Sequence, residues 1–390
     1  MKKKIYCLCL LIAAILLCTG CRTRKDKPDN TDNSVENTTE SSEYETGAQL
    51  DPQTPLMELS DNLLEENYEL VYAGMKSNSE LIAVLVKADS GEIILKNYDV
   101  LKGKMLKKVK SAFKNTVLSE NIRVYYYGED RIFVNDTVNN IYLVFNNKFE
   151  LKNTIELGEN AAFDFVTSDS SRIVYIEDDT NKVYSYNVEA KSKSLIYQFD
   201  NNYQVLQTVG MTDDMNHLVY KYVNSSTANT GYADIQMEEH SAEYKENISY
   251  TIGISGNEYV YYNYWKSANQ ICFYSLDKPR EIKMFELDSE KELENIVYIS
   301  DTPYFFTGVK KSEKDGKTEM ECKLYDKSQG ILVEKMSYKT DGSAVLQYVT
   351  MSPDTELVCI TQKRNDGMSV FMWNLKVPSG AIEENEPIEL

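Results

Sequence analysis

The sequence predicts an all-β chain: seven small sheets, each of four antiparallel strands, closed into a ring as the blades of a β-propeller. Three observations carry this. From about Leu70 onward, short runs rich in Val, Ile, Tyr and Phe alternate with polar residues and break at Asn, Asp, Ser or Gly, the texture of strands and tight turns. Beyond Leu118, no stretch repeats apolar residues at helical spacing. The text also repeats itself. "LQTVGMTDDMNHLVYKY" (206–222) lies over "LQYVTMSPDTELVCITQ" (346–362) without a gap, and the same strand, turn, strand recurs at 163–178, 250–264 and 296–309, and more weakly at 124–136 and 70–86.

Composition narrows the function classes. The 390 residues carry 42 Lys and Arg against 61 Asp and Glu, a net charge of −19. Such a chain has no general basic field with which to hold nucleic acid or anionic lipid. Hydrophobic residues make up 42 %, enough for a folded core. Two His leave little room for His-based catalysis or a multi-His metal site.

Taken in chain order, the first element is an address. Lys2, Lys3 and Lys4 precede an apolar run from Ile5 to Leu17, which is the length of a signal-peptide core and too short for an ordinary membrane span. Thr19-Gly20-Cys21 follows. Residues 1–21 resemble a bacterial lipoprotein signal, with the departure that Cys18 stands where that family has Leu, Val or Ile. The resemblance implies cleavage after residue 20, a diacylglycerol thioether on Cys21, and a protein held by its lipid on the extracytoplasmic face of the cell membrane. Two acyl chains make a stable anchor.

Residues 21–66 read as a tether. "DNTDNSVENTTESSEYETGAQ" holds almost no large apolar residue and cannot offset its own ordering entropy. As a coil of about 40 residues it would span roughly 35 Å. Residues 67–390 are assigned to the repeat domain.

Taking Ile82, Ile132, Val174, Val219, Val260, Phe306 and Val358 as one aligned position gives six intervals of about 46 residues, the period of a four-stranded blade. Each sheet alone is too small to hide both faces; radial packing covers them. A second anchor follows in six of seven units, an aromatic trailed by Asn, Asp or Ser: Tyr98-Asp99, Phe145-Asn146, Tyr186-Asn187, Tyr274-Ser275, Tyr325-Asp326 and Trp373-Asn374. Its repetition points to packing between blades and turn capping rather than to ligand contacts. The fourth unit lacks it and reads as carrying a long insert at 224–248. Unit seven is short of one strand, which either Ile382–Leu390 or residues near Leu56–Leu59 must supply; the second option would fasten the termini together in one sheet.

"MSPDT" (351–355) resembles the S-P-D-G turn of WD40 and TolB-like propellers, and "MWNL" (372–375) their Trp-Asp segment, with Thr355 in place of Gly and Asn374 in place of Asp. The resemblance covers about residues 68–380 and implies the seven-bladed architecture. It does not extend to the hydrolase domain of peptidase-associated propellers.

Motifs of catalysis are scarce: Gly253-Ile254-Ser255-Gly256 has the wrong spacing for a nucleophile elbow, and there is no H-E-x-x-H or P-loop. His240 stands among Glu238, Glu239 and Glu243, and Glu177, Asp178, Asp179 and Asn181 crowd one hairpin; both read more readily as solvated turns than as metal sites. No metal and no cofactor are therefore assigned. Cys272, Cys322 and Cys359 each lie in an apolar strand and read as buried thiols. Tyrosine is in excess, 29 residues. "EYVYYNYWK" (258–266) places aromatics on both faces of one strand, and Tyr261, Tyr262, Tyr264 and Trp265 are the candidate binding residues; "VYYYG" (124–128) is similar. The functional expectation is a lipid-anchored, non-catalytic propeller that binds a protein or glycan partner at the bacterial cell envelope. The alternatives are a carbohydrate-active lyase or hydrolase with a carboxylate pair at the channel mouth, and an accessory or sensory subunit of a transport or wall-assembly complex.

Overall fold

The computed structural model describes residues 57–375, apart from 60–62, 88–89, 114–117, 120, 128–129, 247–250, 263–269, 278–281, 288–295, 299–301, 315, 328–330, 342–343 and 365–366. The chain divides into Met1–Thr46 and Gly47–Leu390. The first unit lies wholly outside the described residues, and with it the predicted signal segment, Cys21 and most of the tether.

The described residues of the second unit are all β: twenty-eight strands among them form seven four-stranded antiparallel sheets. Blade 1 runs through Glu69–Met75, Glu80–Lys87, Glu92–Asp99 and Lys104–Ala112, hydrogen-bonded in that order. Blades 2 to 6 repeat this meander. The first strand of each blade is innermost: first strands touch one another between blades 1 and 2, 3 and 4, 4 and 5, 6 and 7, and 7 and 1. The last of these contacts closes the ring.

The sequence makes this arrangement because each sheet is apolar on both faces. In the second strand of blade 1, Leu81, Ala83 and Leu85 face blade 7 while Ile82, Val84 and Val86 face blade 2. The described core accordingly falls into seven clusters, one per junction between neighbouring blades. Each fully buried Leu, Ile or Val side chain contributes roughly 1.5–3 kcal/mol to holding its junction.

The aromatic–polar pairs close the third strand of six blades. Each aromatic packs toward the preceding blade, as Phe145 does with blade 1 and Trp373 with blade 6. The polar partner caps the next turn: Asp99 Oδ1 accepts from the Lys102 N–H at 3.0 Å, and Asn187 Oδ1 from the Ala190 N–H at 2.8 Å. Blade 4 differs from the sequence reading. Residues 224–248 are not an insert; they contain the regular third and fourth strands, Thr230–Gln236 and Ser241–Glu246. Ile235-Gln236 occupies the anchor position, so an aliphatic side chain fills the gap and the signature is lost.

The sequence alignment is also one residue out of step in five units. The ladders pair Leu81, Ile132, Ile173, Leu218, Tyr259, Phe305 and Val358 with the anchor position of the third strand. Ile82 and Val174, taken as equivalents of Ile132, sit one place further on. Both neighbours in each strand are fully buried, so apolar content does not fix the register.

Blade 7 takes its outer strand from the N-terminal side. Met57–Glu58 pairs with Met372 and Phe371, and the Leu59 N–H donates to the Val370 carbonyl at 2.9 Å. Of the two sources the sequence offers, the residues near Leu56–Leu59 are thus the one used, and the described fold begins at Met57, within the span read as tether. Leu59 and Leu63 then bury in the junction of blades 7 and 1. Lys96, 2 % exposed, fastens this segment: its Nζ donates to Glu65 Oε1 at 2.7 Å and to the carbonyls of Leu63 at 2.8 Å and Leu64 at 3.2 Å.

Turns explain the shortage of glycine. Ser170, Met215 and Thr355 hold φ of 57°, 59° and 62° in three equivalent turns. In each, a hydroxyl at the first position (Thr167, Thr212, Ser352) donates to the Asp two residues on, and that hydroxyl oxygen accepts the N–H that restarts the ladder. Left-handed backbone costs roughly 1–2 kcal/mol in a residue with a Cβ, and these hydrogen bonds offset it.

Candidate functional site

The innermost strands of blades 2 to 5 are Ile122–Tyr125, Ala161–Val166, Tyr203–Met211 and Thr251–Ser255. Residues on these strands and just beyond them enclose a cavity of about 580 Å³. Its shape comes from interrupted pairing. The blade 3 ladder slips between Ala162 and Phe165, and Phe163 there adopts φ 53°. The first strand of blade 4 slips twice, between Val205 and Gln207 and between Thr208 and Gly210. Bulges bend a strand and re-aim its side chains. Gly210 holds φ 150°, and a Cβ there would meet Ile254 Cγ1 at 3.2 Å, so this wall requires a residue without one.

The polar centre of the wall is Asp164. Its Oδ2 accepts from Asn135 Nδ2 at 2.6 Å and from the Tyr142 hydroxyl. Asn135 and Tyr142 are fully buried and hold the carboxylate from behind. The Tyr125 hydroxyl donates to the Asp164 carbonyl at 3.4 Å, and the Tyr127 hydroxyl to the Val166 carbonyl at 3.0 Å. Thr208 Oγ1 donates to the Phe163 carbonyl and fixes the bulge. Burial, and then the charge of Asp164, push the Tyr125 phenol up to about 12, so it stays protonated. Arg123 is exposed, reaches Tyr125 and lies in the field of Asp164.

The lining is therefore mixed. Tyr125, Tyr127, Phe163 and Phe165 present aromatic surface, Leu206 is exposed, and so are the polar residues Arg123, Gln207 and Asp213. Such walls stack on a ring and hydrogen-bond its substituents. The residues that shape it are locked by their neighbours, which makes the surface preorganised.

Of the sequence-predicted residues, Tyr261 is outside this lining. Tyr261 is on the second strand of blade 5, Glu258–Tyr262, half-buried in the junction with blade 4, its ring 5.8 Å from that of Tyr259. Burial pushes its phenol up to about 12. Tyr262 belongs to the same strand; Tyr264, Trp265 and Cys21 lie outside the described residues. The "VYYYG" run does supply cavity lining, through Tyr125 and Tyr127. Asp164, Arg123 and Phe163 escaped notice. The signal available for them was the polar Asp inside "FDFV", an unusual residue in an innermost apolar strand.

The other candidates are turns. His240 Nδ1 stands 3.3 Å from the Ile196 carbonyl, Glu177 pairs with Lys193, and Asp179 accepts from Asn160 at 3.0 Å. Among the described residues, no group of three or more His, Cys, Asp and Glu side chains converges as a metal site. Cys272, Cys322 and Cys359 are buried and form no disulfide among the described residues. Burial pushes the Cys359 thiol up to about 12.

No protein-family model matches the chain, and no curated protein matches it. Solved structures do. Chaetomium thermophilum Raptor is similar with a TM-score of 0.52 at 10 % identity, covering 78 % of this chain and 28 % of that one. The beta-propeller domain of Myceliophteria thermophila Cps50 (Swd1) is similar at 8 % identity, TM-score 0.48, covering 75 % and 93 %. Kuenenia stuttgartiensis hydrazine synthase is similar at 11 % identity, TM-score 0.47, covering 84 % and 98 %. At these identities the likeness speaks for the fold alone.

Proposed function

We propose that the protein is a lipid-anchored binding protein on the extracytoplasmic face of a bacterial membrane, and that it holds a glycan of the envelope in the cavity of blades 2 to 5. The N-terminal text supports the location: Lys2–Lys4, the apolar run and Thr19-Gly20-Cys21. The observation that carries the binding role is the aromatic wall with the exposed polar residues Arg123 and Gln207 in its lining, while Asp164 is already tied by Tyr142 and Asn135. A carboxylate committed to two buried donors positions a wall, whereas aromatic faces next to exposed polar side chains suit a sugar ring and its hydroxyls.

The test is titration calorimetry of the purified chain against soluble fragments of envelope glycans, neutral and uronic-acid-bearing. Binding that weakens at least about tenfold in Arg123→Gln and in Phe165→Ala supports the reading, since a charge-assisted hydrogen bond contributes roughly 1.5–3 kcal/mol. Binding that ignores both substitutions sinks it. Shortened or unsaturated products in the cell after titration would instead move the chain to the carbohydrate-active reading.

A further inference from the structure

A second surface stands apart from the cavity, on the outer edge of blade 1. The outermost strand, Lys104–Ala112, reads KMLKKVKSA and carries four lysines and no acid, in a chain of net charge −19. Lys104, Lys107, Lys108 and Lys110 are all exposed. The carboxylates nearby are outnumbered. Glu65 faces both Lys96 at 2.7 Å and Lys108 at 2.6 Å, and Glu92 faces both Lys110 at 3.1 Å and Lys87 at 3.5 Å. Among the described residues, Lys104 and Lys107 face no carboxylate within ion-pair distance; Lys107 Nζ donates to the Lys148 carbonyl at 2.7 Å, which carries the basic strip on to blade 2.

Three exposed leucines share this edge. Leu101, in the turn before the strand, is 57 % exposed; Leu106 is 44 % and Leu64 is 43 %. Leu106 is the extra residue of a bulge, since Tyr98 pairs with Met105 and Asn97 with Lys107, leaving it unpaired. Leu64 is tied to the same edge through its carbonyl, which Lys96 binds, and Lys96 is the cross-strand partner of Lys108.

Lysine alone on an edge strand is a guard against sheet-to-sheet association. Lysine interleaved with bare leucine is a different chemistry. Each basic side chain near an anionic bilayer gains from the surface potential, and each apolar side chain beside it gains from entering the headgroup boundary. A soluble polyanion would reward the lysines but leave the leucines in water. We infer that the outer edge of blade 1 docks on a membrane surface of anionic lipid headgroups, with Lys104 and Lys107 meeting the headgroups and Leu101 and Leu106 entering between them. This is independent of the cavity and of its ligand.

The experiment measures partition of the full chain onto vesicles of phosphatidylcholine and onto vesicles in which a third of the lipid is phosphatidylglycerol. The quantity read is the ratio of the two partition coefficients, in which any contribution common to both vesicles cancels. The double variant Lys104→Gln/Lys107→Gln lowers that ratio by about 10- to 30-fold at low salt, with the difference shrinking at high salt. Leu101→Ser/Leu106→Ser lowers binding to the anionic vesicles at either salt. All four sites are exposed, and near-ultraviolet circular dichroism checks that the variants keep the native packing. A ratio unchanged by the lysine variant overturns the inference. So does an unchanged leucine variant together with loss of inorganic polyphosphate binding by the lysine variant, which would make the edge a site for a soluble polyanion.

Discussion

Replacing Lys96 by Met tests how the ring is held shut. The substitution keeps the apolar stem in its slot and removes the ammonium, which is 2 % exposed and spends its three protons on Glu65 Oε1, the Leu63 carbonyl and the Leu64 carbonyl. All three acceptors belong to the segment between the closing strand and blade 1. Two carbonyls lose their partner, while Glu65 keeps Lys108 at 2.6 Å. Leaving a buried acceptor unpaired costs about 1–3 kcal/mol, so Lys96→Met, which strands two carbonyls, loses about 2–4 kcal/mol in urea unfolding followed by tyrosine fluorescence. Exchange of the Leu59 N–H, bonded to the Val370 carbonyl, accelerates by a comparable free energy because the closing strand opens first. Glu65→Gln costs less, since Glu65 is a quarter exposed and the two carbonyls still satisfy Lys96. A Lys96→Met protein within about 1 kcal/mol of the wild type, with unchanged exchange at Leu59, would refute the assignment of this lysine as the fastener.

Thr355→Gly and Met215→Gly each raise stability by about 0.5–1 kcal/mol in the same assay, because glycine adopts φ near 60° without the Cβ penalty; a loss at both positions would show that their side chains matter more than their backbone. Gly210→Ala costs about 1–3 kcal/mol and weakens glycan binding, as φ 150° strains a residue with a Cβ and Ile254 Cγ1 at 3.2 Å must give way to it; unaltered melting counts against this. His217 sits 2.9 Å from buried Asp234, with Asp214 and Asp277 also facing it, and the Asp234 hydrogen bond holds its imidazole above the ordinary 6.5. A raised folded-state pKa gives stabilisation that is full below pH about 6.5 and fades as pH rises through the folded value. The stability gap between wild type and His217→Gln is therefore wider at pH 6 than at pH 9, and an equal gap at both would contradict it. Cys21→Ala, expressed in a bacterial host, shifts the chain from the membrane to the soluble fraction or leaves its precursor unprocessed; normal membrane retention of a processed chain would rule out the lipid anchor.

The architecture was legible because a blade covers its neighbours on both faces. The same text must then recur at each junction, and Phe145, Tyr325 and Trp373 mark it. That same property hid the register, since Leu81 and Ile82 are equally buried and equally apolar. Blade 4 escaped recognition for a local reason: Ile235 does the work of an aromatic without its signature. The cavity was the least legible part. It depends on slips in the ladders at Ala162–Phe165 and Thr208–Gly210, and the first of these is made by Phe163 in a left-handed conformation that its residue type does not advertise. Beside the Asp of "FDFV", Gly210 leaves a mark in the text, and a single glycine in a strand has several meanings.

The two-residue strand Met57–Glu58 couples the chain's leading end to its final blade. Any tug transmitted along the backbone ahead of Met57 therefore lands first on that short latch, then on Leu59, Leu63 and the grip of Lys96. The walls of the cavity are built on blades 2 to 5, away from the blade 7–blade 1 seam. Mechanical load would thus be spent undoing the seam while the pocket kept its form.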